Sequence, residues 1–173
     1  MTVALRVAAI VFVASILQVT LVASIVVFGG SADLLLVALV SIALIRGSVA
    51  GAFAGFAGGL IVDVATLGTL GVNALLLSVA GFWAGRYGET TGRDRSHAPF
   101  LAVVSITVIV GVAGYLLHFM LGEELSARHA LVTSLLPAVV LNLVLCAPVY
   151  AACRALLRTR QPAERAREVE LLV

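Results

Sequence analysis

A carboxylate, Asp63, closes the run GSVAGAFAGFAGGLIVDVATLG (47–68), which holds no other charge. An acid in such a setting has three chemical uses. It can end a helix, meeting interfacial water or the glycine-rich turn TLGTLGVN that follows. It can bond a partner on another helix, for which Asn73 at the end of that turn is the nearest choice. Or it can couple transport to a proton or ion, which calls for a second buried acid or base, and none joins it in the sequence. The glycines before it, Gly47, Gly51, Gly55 and Gly59, stand four apart. Each is about 40° round the helix from the last, so the stripe winds slowly and leaves a smooth groove for close approach of another helix. The second span, next along the chain, is the local candidate for that partner.

Asn142 sits between Pro137 and Pro148. Each proline removes an intrahelical hydrogen bond, and a nearby amide can satisfy a freed carbonyl or bond another span. Cys146 and Cys153 are seven apart, about 10 Å along one helix, too far for a disulfide, and read as small packing residues. His97, His118 and His129 form no defined ligand set, even with Glu123 and Glu124 near His118. No nucleophile–base pair, phosphate-binding loop or HExxH motif is present, so nothing argues for an enzyme, a metal or a cofactor.

These residues must be positioned by membrane helices. Of 173 residues, 62% are hydrophobic and 12% charged, with mean hydropathy +1.17, against about half and a quarter in soluble domains. The expectation is a single all-α integral membrane domain with six transmembrane helices. The spans fall at 5–28, 32–45, 48–65, 71–88, 98–121 and 130–157, with a short tail at 158–173. The second is short and should pair with the third across the Arg46-Gly47-Ser48 break. The first span is too long for a signal peptide's apolar core and reads as a retained anchor. The chain has no lysine. With six spans, every arginine except Arg128 falls on one side, which places both termini in the cytoplasm. This bias explains the net charge of +2 without a nucleic-acid partner. Trp83, Tyr87 and Tyr150 lie near the cytoplasmic span ends, and Phe28 and Phe119 near the outer ones, as interfacial rings do.

The stretch DLLLVALVSIALIRGSVAGAFAGFAGGLIVDVATLGTLGVNALLLSVAGFWAGR (33–86) resembles the MreD family of bacterial rod-shape-determining membrane proteins. Asp33 opens the second span, an Arg-Gly break follows, and the third span ends GFxxGLxxD. LGxxxL then leads to a fourth span closing GxxAGR at Arg86. The final span, LLPAVVLNLVLCAPVYAACRALLR, is similar to the family's last helix in its Pro, Asn, Pro order. The resemblance implies a non-enzymatic component of the lateral-wall elongation machinery in the inner membrane. Its partners would be MreC and, through the complex with the MreB filament, RodA and a class B penicillin-binding protein; a homodimer is left open. It also implies a fold like the S component of energy-coupling-factor transporters, with Asp63 and Asn73 near a periplasmic mouth. Asp33, Asp63, Asn73, Arg86 and Asn142 are thus the candidate polar or partner contacts. The alternative is a substrate-binding component of a vitamin-type transporter, docking through the small residues Ala4 and Ala8 of the first span.

Overall fold

The computed structural model describes residues 3–22, 26–27, 30–67, 69–91, 97–120 and 134–157. The tail 158–173 lies outside these residues, as do Phe28, Arg93, Arg95, Glu123, Glu124, Arg128 and His129. Among the described residues the fold is all-helical apart from one two-residue ladder. Its helices are α1 (Val3–Leu17), α2 (Leu34–Arg46), α3 (Ser48–Thr66), α4 (Val72–Thr91), α5 (Ala98–Met120) and α6 (Leu135–Leu157). Among the described residues, four segments are long and apolar enough to cross a membrane: Val3–Thr20, Ser48–Thr66, Ala98–Leu117 and Leu135–Leu157.

α2 is the centre of the molecule. Every residue from Leu35 to Leu44 is buried, on all faces of the helix. α1, α3, α4, α5 and α6 all pack against it. A helix apolar all round is one meant to be enclosed. Its 13 residues rise only about 20 Å, short of a hydrocarbon core of about 30 Å. Enclosure by longer helices removes the need to match the bilayer. The outer helices, in turn, keep large apolar side chains on their outward faces, Phe12, Phe53, Leu101 and Val144 among them. In lipid that is an ordinary surface.

The first span differs from the single helix expected over 5–28. The α-helix stops at Leu17, widens into a π-helical turn over Gln18–Val22, and Val26–Val27 then pairs antiparallel with Gly30–Ser31. Gln18 supplies a physical reason. Its Nε2 donates to the Ala32 carbonyl at 3.2 Å and its Oε1 accepts from the Leu34 N–H at 2.8 Å. The one amide in this apolar stretch is held by the backbone entering α2, and the helix widens where it is held.

The glycine stripe packs chiefly on α4, not on the neighbouring α2. A Cβ at Gly55 would strike the Leu77 carbonyl, and one at Gly59 would come within 2.5 Å of the Ala74 Cα. Gly51 and Gly81 face each other, so a Cβ on either meets the other's carbonyl oxygen, and Gly85 lies against Ser48. Ser78 Oγ adds a hydrogen bond to the Ala52 carbonyl at 3.2 Å. Gly47, whose carbonyl carbon also lies against Gly85, has a second part. It forms the break between α2 and α3 at φ 95°, a left-handed value that glycine adopts without strain. Its N–H closes α2 by donating to the Ala43 carbonyl at 2.7 Å.

Candidate functional site

Backbone N–H groups at the start of a helix lack intrahelical acceptors, and inside a membrane no water replaces them. Carboxylates and amides, Asp63 fully buried and Glu89 exposed, supply those acceptors at three helix starts.

Asp63, near the end of α3, is fully buried. Its Oδ2 accepts from the N–H groups of Gly71 at 2.8 Å and Ala74 at 3.2 Å. Its Oδ1 accepts from the Asn73 N–H at 3.2 Å and from Asn73 Nδ2 at 2.8 Å. A carboxylate has about four lone-pair positions, and here four donors fill them. The glycine-rich turn and the cross-helix amide, separate alternatives on sequence grounds, are therefore combined in one cap at the start of α4. Gly71, at φ 94°, turns the chain into it.

The opposite end of the same helix pair carries the reverse arrangement. Glu89 of α4 accepts through Oε1 from the Ser48 N–H at 2.8 Å and the Ser48 hydroxyl at 3.0 Å, capping α3. Its Oε2 pairs with Arg86 at 3.4 Å, whose side chain is largely in the open. Glu89 lies past the apolar part of α4. The Ser48 N–H, then the Ser48 hydroxyl, with help from Arg86, hold its carboxyl below the usual range. α3 and α4 thus cap one another, each lending an acid from its C-terminal half to its partner's first turn.

The third start is that of α2. Asp33 Oδ1 accepts from the Leu36 N–H at 2.9 Å, an N-cap within the chain's own turn. The Asp33 N–H itself donates to Asn142 Oδ1 of α6 at 2.7 Å, and the Leu34 N–H to Gln18 in the π-helical turn after α1. Asn142 is buried, and its Nδ2 reaches Thr107 Oγ1 of α5 at 3.1 Å. One amide thereby joins α2, α5 and α6. It bonds other helices and not a carbonyl freed by a proline. Pro137 lies in the first turn of α6, where a missing N–H is harmless, and Pro148 is the proline inside the helix.

Of the residues singled out on sequence grounds, Asp63 and Asn73 meet at one node and Asp33 and Asn142 at another. Arg86 stands at the far end of α3–α4, away from both. Three contributors had not been singled out. Gln18 was visible as the lone amide in a long apolar run. Thr107 and Glu89 carried no such signal, because their partners lie 35 and 41 residues away. Among the described residues no three His, Cys, Asp or Glu side chains gather as a metal site would. Cys146 and Cys153 are buried and unbonded. The polar groups of these three nodes are spent on holding helices to one another.

A family model described as rod shape-determining protein MreD matches residues 2–160. No curated protein and no solved structure matches the chain.

Proposed function

This chain belongs to the MreD family of rod-shape-determining membrane proteins, and from that premise we propose that it is a non-enzymatic scaffold of the cell-elongation machinery. It binds MreC, and through that complex it helps to organise lateral peptidoglycan synthesis by RodA and a class B penicillin-binding protein. It resides in the inner membrane with both termini in the cytoplasm, the side on which the arginines gather. The observation that carries this reading is the family match, which runs through all six helices. The capping nodes support it, since their carboxylates and amides hold helices together and leave Asp63 no vacant acceptor. The S-component likeness of the family belongs to the same proposal.

The experiment is a pull-down of the tagged full chain from its native membranes in a gentle detergent, with mass spectrometry of proteins and small molecules. Recovery of a single-span MreC-type protein in a fixed ratio, with wall synthases at lower yield, is the expected result. A small ligand recovered with an ATPase module and no wall-synthesis protein would replace the scaffold with a transporter component.

A further inference from the structure

Between α1 and α3 runs an open groove of about 690 Å³, apolar along nearly all its length. Val7, Ala8 and Phe12 form one wall, and Ala50, Ala57 and Ile61 the other. Among the described residues, its one charged lining residue is Arg46, in the last turn of α2. Arg46 Nε and Nη2 are both buried, and neither has a hydrogen-bond partner among the described residues. These two nitrogens share one edge of the guanidinium, the edge that grips a phosphate or carboxylate in bidentate fashion. A guanidinium left in that state is costly, so the position calls for an anion.

The described part of the protein does not supply one. Glu89, the carboxylate at this end of α3, is engaged by Ser48 and Arg86. Asp33 and Asp63 are committed to caps at the opposite ends of α2 and α3. From Ala50 to Ile61 the groove follows α3 for about 16 Å, close to the depth of one leaflet, half of about 30 Å. A partner's transmembrane helix would want a track across both leaflets and would need its own acid at this depth. A lipid brings a chain one leaflet long and an anion in one molecule. Arg6 lies at the same end of the bundle, which favours a headgroup of net negative charge over a zwitterionic one. We propose that this groove is a specific lipid site: it takes one acyl chain of an anionic phospholipid, whose phosphate binds the Nε–Nη2 edge of Arg46.

The test uses the full chain purified in a mild detergent, titrated with dioleoylphosphatidylglycerol or dioleoylphosphatidylcholine and read by native mass spectrometry. The wild type should retain one phosphatidylglycerol through activation that strips the phosphatidylcholine. Arg46→Gln should lower that occupancy about tenfold, the scale of one charge-assisted bond. Without lipid, Arg46→Gln should melt no lower than the wild type, since it removes an unpaired buried charge. Ala57→Trp fills the groove and leaves Arg46 in place, so it should lose the lipid too; it decides the matter if Arg46→Gln fails to fold. Arg154→Gln, exposed on α6, should bind as the wild type does. Equal retention of the two lipids would overturn the proposal. So would full occupancy in Arg46→Gln or Ala57→Trp, or a protein chain bound in a fixed ratio where the lipid should be.

Discussion

Four donors converge on Asp63, so its substitutions should fall into two grades. Asp63→Asn keeps the size but turns amide hydrogens toward N–H groups that need an acceptor. It should cost about 1–3 kcal/mol, the penalty of a buried donor left unmet. Asp63→Ala leaves all four donors bare and should cost more than about 3 kcal/mol. Reversible unfolding of the purified protein in bicelles measures both. Equal stability of Asp63→Asn and wild type would remove the capping role. The pairing with Asn73 was legible because the two residues flank a short turn. Glu89 and Ser48 were not, since no spacing rule links positions 41 apart. Their meeting depends on α3 and α4 having nearly equal lengths, 19 and 20 residues, so that each start lies beside the other's end.

At the scale of elements, the glycine stripe was legible as a packing surface, but its partner was not. Adjacency favoured α2, whose leucines, isoleucines and valines would hold two backbones apart. α4 offers Gly81, Gly85 and Ala74 at the matching levels, and backbone approach in lipid goes to the helix that is also small. Two glycines one turn apart test this. At Gly55 an added methyl meets the Leu77 backbone, which cannot move aside. Gly55→Ala should cost about 1–3 kcal/mol, and Gly55→Leu should prevent the α3–α4 pair from forming. At Gly58 the methyl meets the tips of Leu35 and Val11 at 3.0 and 3.1 Å. Those tips can yield, so Gly58→Ala should stay within about 1 kcal/mol. Thermal melts in detergent rank the variants, and a reversed order would place the tight contact elsewhere. The first span shows the limit of hydropathy. VTLVASIVVFGG (19–30) is apolar enough for a helix, yet it is β-branched and ends in two glycines, and the α-helix stops before it.

For the molecule as a whole, the number of helices and the all-helical class followed from composition and run length. The arrangement around α2 did not, because an apolar helix carries no mark of which apolar neighbours enclose it. What selects the arrangement is polar: Gln18, Thr107 and Asn142 reach across from three helices to the α2 start or to one another. Asn142→Leu should therefore loosen more than its own helix. It leaves the Asp33 N–H and the Thr107 hydroxyl without their amide, at about 1–3 kcal/mol for the pair. Faster hydrogen exchange at residues 33–37, far along the chain from the substitution, is the expected signature. Loosening confined to α6 would mean that the amide serves that helix alone.

The bond from the Asp33 N–H to Asn142 also says something about the order in which the protein is made. The second helix leaves the ribosome early, and the acceptor for its first amide arrives 109 residues later. Until α6 is delivered, the Asp33 N–H at the start of the central helix has no acceptor and must wait among partners still being inserted. The α3–α4 pair needs no such delay, since each half carries the other's cap. Biogenesis thus divides into a hairpin that can close on its own and a hub that closes only once residue 142 has been made. A chain stalled before residue 142 would hold the first without the second.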